Sequence, residues 1–196
     1  MLLSGVLTDA HWLAGFDHQL THLIRQPVTP ERTWFFQNVT RLGNPHITLF
    51  VMLVFFAGLW WRKKRLGAAF FLVNVGVGAL IINQIAKQLV ERPRPTLFHL
   101  VSASGYSFPS GHAMNVTLMY GSLILLCNLY VDRLALRLVF DTLLILAIIG
   151  VCLSRIYLGV HYPSDVAAGV GLALCELFYV RYAFFKTTTV PAIKIW

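Results

Sequence analysis

The chain has 196 residues, enough for one domain of ordinary size. With 57% hydrophobic residues, 12% charged residues and a mean hydropathy of +0.68, it carries about half the charge of a water-soluble domain, which excludes an ordinary soluble fold and points to a membrane. The net charge of +8 does not indicate nucleic acid, because the basic residues form no single stripe but short groups between apolar runs: Arg62-Lys63-Lys64-Arg65, Arg133 with Arg137, and Arg181 with Lys186.

In chain order, residues 1–45 come first and are the least regular. Met1 to Leu7 is apolar but has no basic start and is cut by Asp9 and His11, which argues against a signal peptide. His11, Asp17, His18 and His22 make the next stretch polar, so 1–45 is expected to be an interfacial or short membrane element. A short outer-side helix is predicted over Glu31 to Val39, begun after Thr29 as cap.

Five apolar segments follow, roughly 46–61, 66–85, 113–131, 138–154 and 166–184, each near the length that crosses the hydrocarbon core. Only closed helices satisfy their backbone groups there, so an all-α, polytopic bundle over 46–186 is predicted, with a tail over 187–196. If the segments alternate, all three basic groups fall on one side, which the positive-inside rule makes the cytoplasm. Within the spans, Gly67, Gly76, Gly78 and the set Ala167, Ala168, Gly169, Gly171 and Ala173 supply small packing faces. Asn74 and Asn83 are expected to bond to a neighbouring helix, and Asp141 to pair with Arg137 four residues earlier. Cys127, Cys152 and Cys175 lie in apolar runs without CxxC spacing and read as small buried hydrophobes.

The opposite side receives the loops from Lys87 to Gly111 and from Ser154 to Asp165. They concentrate Lys87, Arg92, Arg94, His99, His112, Arg155 and His161 against only Glu91 and Asp165. Such an excess of cations is poorly explained by stability and well explained by an anion, and Arg with Lys suits a phosphoryl group. The Pro109-Ser110-Gly111-His112 string opens an apolar run, so a helix N-terminus with unsatisfied N–H groups is expected there, with Gly111 permitting close approach. His161 and Asp165 are four residues apart, a spacing at which the carboxylate can fix the imidazole tautomer and leave the other ring nitrogen free to attack. His99, His112, His161 and Asp165 are nominal metal ligands, but Lys87, Arg94 and Arg155 would repel a dication, so neither metal nor other cofactor is expected.

These strings resemble the three signatures of the type 2 phosphatidic acid phosphatase (PAP2) superfamily. They appear here as Lys87 followed after six residues by Arg94-Pro95, as Pro109-Ser110-Gly111-His112, and as Ser154-Arg155 followed after five residues by His161 and then Asp165. The resemblance implies a helical core of the PAP2 and vanadium-haloperoxidase type, usually with six spans in membrane members, so a possible sixth element is sought before residue 46. It also implies roles. His161 would attack phosphorus to form a phosphohistidine, Asp165 would orient it, and His112 would protonate the leaving oxygen and then activate water. Lys87, Arg94, Ser110, Gly111 and Arg155 would bind the phosphoryl oxygens, without metal.

The expected partner is a membrane lipid phosphate or diphosphate, with neither nucleic acid nor an obligate protein partner, at the outer face of a bacterial cell membrane. Undecaprenyl diphosphate is the preferred substrate, and phosphatidylglycerol phosphate or phosphatidic acid the alternative. A transporter would spread its polar groups toward the midplane, and a noncatalytic lipid-phosphate-binding protein would not need both His112 and the His161–Asp165 pair.

Overall fold

The computed structural model describes Gly5, Val6, Thr8 and residues 10–186, and among these all regular structure is helical. The predicted tail 187–196 and parts of the Met1 to Phe16 stretch lie outside the described residues. Helix α1 covers His11–Arg25, α2 Pro30–Arg41 and α3 Pro45–Trp61. Helix α4 covers Arg65–Val90 and widens to a π-helix over Asn74–Ile82, α5 covers Gly111–Tyr130, α6 Leu134–Tyr157 and α7 Pro163–Phe185.

The starts of these helices follow from local chemistry. Thr29 caps α2 as expected, its hydroxyl accepting from the Arg32 N–H at 3.3 Å, and Pro30 supplies a first-turn residue with no N–H to satisfy. Proline also opens α3 and α7, at Pro45 and Pro163.

Four helices, α4 to α7, are each long and apolar enough to cross a membrane. The predicted segment at 46–61 is α3, whose 17 residues fall just short alone; with α2, bent from it by 42° across a short break, it makes a fifth. Helix α5 is the central post. It buries Met114, Val116, Leu118 and Met119 against Phe70 and Phe71 of α4, Val151 of α6 and Ala173 and Leu177 of α7. Helix α6 instead turns Leu138, Val139, Leu143 and Leu146 outward, as a lipid-facing helix does.

Small residues play a narrower part than the sequence reading assigns. A Cβ on Gly78 would stand 2.3 Å from a Glu176 oxygen and from Leu118, and one on Gly169 would stand 2.6 Å from the Ser110 carbonyl oxygen. Gly67 is likewise close to Tyr130, but a Cβ on Gly76 or Gly171 would meet nothing within 4 Å among the described residues. Asn83 does reach a neighbouring helix, at Met114 Sδ, whereas Asn74 bonds back to the Phe70 carbonyl of its own helix. Asp141 accepts from Asn128 at 2.7 Å and forms no ion pair with Arg137 among the described residues, because the α5 amide is the nearer partner. Cys127 and Cys152 are half-buried, but Cys175 lies on an exposed face of α7.

Candidate active site

The three motifs converge on one cavity of about 540 Å³ at one end of the bundle. Lys87, Arg94, Gly111, His112, Arg155 and His161 all line it, although they come from four different segments of the chain. Ser110 and Asp165 stand behind that wall. Both are fully buried, and the Ser110 hydroxyl has no partner among the described residues. His99 does not join them; its Nε2 bonds to the Pro95 carbonyl at 2.9 Å.

His161 follows the turn at Gly159, where a positive φ of 77° favours glycine and reverses the chain after α6. Two residues later Pro163 starts α7 and puts Asp165 in its first turn. Asp165 Oδ2 then accepts from the Tyr162 N–H at 2.9 Å, capping the helix, and lies 3.5 Å from His161 Nδ1. Ser107 donates to the same oxygen at 2.5 Å, and its Oγ lies 3.4 Å from His161 Nδ1. On the far side of the ring, Arg94 Nη1 approaches His161 Nε2 at 3.3 Å. A guanidinium has no acceptor, so Nε2 must carry the lone pair and Nδ1 the proton. The lone pair of the buried imidazole is thereby directed to the side of Arg94 and the cavity.

Burial pushes the His161 pKa down to about 4; Asp165 opposes the shift, and Arg155 and Arg94 add to it. The ring is neutral near pH 7, as a nucleophile requires. Arg94 is itself lowered by burial, yet it stays cationic and is aimed by the carbonyls of Ser104, Gly105 and Val160. Lys87 donates to the Tyr106 carbonyl at 2.6 Å, and Arg155 donates to Thr40 at 2.8 Å, its Nε having no partner among the described residues. His112 Nε2 meets Asn44 Oδ1 at 3.1 Å, which ties the ring to the start of α3.

The sequence reading gave no special place to Asn44, Thr40, Ser107 or Asp17, and it counted Arg92 with the other loop cations. Arg92 does not line the cavity. Its guanidinium bridges Asp165 at 2.6 Å and Asp17 of α1 at 2.9 Å, and stacks 4.1 Å over the Tyr162 ring. No spacing rule joins residues 17, 92 and 165, so only the fold reveals them. Among the described residues no group of three or more His, Cys, Asp or Glu could hold a metal ion.

The arrangement offers a neutral imidazole with a directed lone pair, a second imidazole across the same cavity, and three cations to neutralise an anion between them. The chain is similar to known proteins in sequence and in fold. The chain is 32% identical over 161 residues to phosphatidylglycerophosphatase B of Bacillus subtilis (strain 168), covering 81% of this chain and 77% of that protein. It is 26% identical over 163 residues to the undecaprenyl-diphosphatase of Sulfolobus acidocaldarius, covering 79% of this chain and 72% of that one. The crystal structure of a transmembrane PAP2-type phosphatidylglycerolphosphate phosphatase from Bacillus subtilis superimposes with a TM-score of 0.85 at 25% identity, over 95% of this chain and 94% of that chain. The sequence pattern of the PAP2 superfamily itself matches residues 67–189, which hold every motif lining the cavity. With fold and sequence in agreement, the chain is a multi-pass membrane member of the PAP2 superfamily.

Proposed function

We propose that the protein removes the terminal phosphate of a membrane lipid phosphate through a phosphohistidine formed on His161. The observation that carries this reading is the cavity, which holds both imidazoles and Lys87, Arg94 and Arg155 at one end. At its other end it is bordered by Leu49 and Met52 of α3 and Val75 and Gly76 of α4. A phosphate seated among the cations leaves its lipid chain at this apolar end, between two membrane helices.

The steps follow from the geometry. Nε2 of His161 attacks phosphorus while Asp165 accepts the Nδ1–H hydrogen bond and balances the positive charge that the ring acquires. His112, an imidazolium beside the bound phosphate, gives its proton to the leaving oxygen. The neutral ring then withdraws one from water, whose oxygen attacks phosphorus and cleaves the P–N bond, restoring the imidazolium of His112 and the neutral ring of His161. Lys87, Arg94 and Arg155, with the Gly111 N–H at the start of α5 and the Ser110 hydroxyl behind it, stabilise the equatorial oxygens. Arg94 exchanges its contact with Nε2 for one with the phosphoryl group.

Phosphatidylglycerol phosphate is the substrate the relatives favour, since the 32% identical protein and the superimposed structure both bear its name. Undecaprenyl diphosphate, preferred from sequence, rests on the 26% identical relative and is the second reading. The test is phosphate release by the full chain in detergent with a chelator present, on these two lipids and on phosphatidic acid, beside His161→Ala. Release from phosphatidylglycerol phosphate, reduced at least about a thousandfold in the variant, is expected. Undiminished turnover by His161→Ala, or none by the wild type on any of the three, would sink the reading.

A further inference from the structure

Arg92 sits in the most cationic loop of the molecule, yet its guanidinium is turned away from the cavity. One nitrogen, Nη1, donates to Asp165 Oδ1 at 2.6 Å and to Ser164 Oγ at 2.8 Å, while Nη2 donates to Asp17 Oδ2 at 2.9 Å. Three of its five N–H donors are therefore committed to these partners, and it does not line the cavity. Burial acts to lower its pKa, but Asp165 and Asp17 more than reverse this, so it stays firmly charged.

Asp17 is equally committed. It is 3% exposed in a helix whose neighbours Phe16 and His18 are both exposed, and such a carboxylate is costly to bury without partners. Besides Arg92 it accepts from the Ser164 N–H at 2.8 Å and from the Ser164 hydroxyl at 2.7 Å. Ser164 is the residue just before Asp165. Asp17 thus grips the first turn of α7 from outside while Arg92 holds the Asp165 carboxylate by its other oxygen.

The consequence falls on His161. With Oδ1 taken by Arg92, only Oδ2 is left to the Tyr162 N–H, the Ser107 hydroxyl and the imidazole. Charge is balanced as well as geometry. Asp17, Arg92 and Asp165 sum to one negative charge, the charge that supports an imidazolium during attack. Without Asp17 the sum is zero, and Arg92 draws on Asp165 alone.

We propose that Asp17 and Arg92 are positioning residues for the nucleophile: Arg92 fixes the carboxylate of Asp165, and Asp17 locks Arg92 and the start of α7, which makes α1 part of the catalytic apparatus. This rests on the phosphohistidine reading above. A bridge that merely fastened α1 to the bundle would affect melting but not the turnover of folded molecules.

The experiment compares Asp17→Asn, Arg92→Gln and the double variant with the wild type and His161→Ala, as full chains in detergent, on phosphatidylglycerol phosphate. Melting temperature is recorded on the same samples. Asp17→Asn is expected to lower kcat between about tenfold and a hundredfold with KM changed less than about threefold, as for other groups that orient a reacting residue. Because the two residues act as one unit, the double variant is expected within about twofold of Arg92→Gln alone. If Asp17→Asn does not fold, Asp17→Glu serves instead: it keeps the charge but displaces it by one methylene, and a loss in kcat with KM retained is again expected. Wild-type kcat in the folded Asp17 variant, or fully additive losses in the double, overturns the proposal. An inactive wild type or an active His161→Ala instead overturns the phosphohistidine reading on which it stands.

Discussion

The surroundings of His161, the proposed nucleophile, set a condition on pH. His161 is 3% exposed, and burial holds its pKa near 4 although Asp165 pulls the other way. An unperturbed histidine titrates near about 6.5, so between roughly pH 6.5 and 4 the unfolded chain binds this proton and the folded chain does not. Falling pH across that window therefore favours unfolding, and above it the residue makes no pH-dependent contribution. The same shift keeps the nucleophile competent in mild acid. The acid limb of kcat/KM assigned to the enzyme is expected below about pH 5, once the second ionisation of the phosphate substrate near about 6 has been measured separately and removed. A limb at pH 6 to 7 that belongs to the enzyme would mean that the imidazole is far more solvated than this geometry has it. The residues that set the condition were unequally legible. His161 and Asp165 stand in a recognisable string and Arg94 in another, but Ser107, Arg92 and Asp17 bear on the same ring from places no local pattern connects.

At the scale of the helices, close approach is required at one place and absent at another nearby. Gly169 lies on the face of α7 that meets the start of α5, where a Cβ would stand 2.6 Å from the Ser110 carbonyl oxygen and 3.3 Å from the Met114 nitrogen. Those are backbone atoms and cannot rotate aside, so Gly169→Ala must push α7 from the turn that carries Ser110, Gly111 and His112. A loss of about 1–3 kcal/mol of stability is expected, together with reduced kcat, by analogy with overpacked cores. Gly171, two residues on, meets nothing within 4 Å. Gly171→Ala is expected to leave activity intact and to raise the melting temperature slightly, since alanine gains up to about 1 kcal/mol over glycine in a helix. Equal melting temperatures for the two variants would contradict this contrast. Sequence composition marked both glycines as a small face, because a run of small residues does not say which way each one points. The helices themselves were more readable: apolar runs and proline starts located α3 to α7, while the π-helical widening of α4 has no sequence signature and appears only in the packed structure.

For the whole molecule the remaining question is which side of the membrane the cavity faces, and charge supplies the argument. Arg62 to Arg65, Arg133 with Arg137, and Arg181 with Lys186 lie at the ends of the long helices opposite the cavity, so by the positive-inside rule we propose that they face the cytoplasm and the site the outside. Asp132, in the exposed turn between α5 and α6, marks the first side, and Phe98, 81% exposed in the loop between α4 and α5, marks the second. Cysteines placed there test the orientation without removing any of the basic groups, provided Cys127, Cys152 and Cys175 are first replaced by alanine. A membrane-impermeant maleimide is expected to label Phe98→Cys in intact cells and Asp132→Cys only after permeabilisation. The reverse pattern would turn the cavity toward the cytoplasm. It would then have to draw its lipid phosphates from the inner leaflet, and the expectation of undecaprenyl diphosphate at the outer face would fall while the chemistry proposed at His161 stood unchanged.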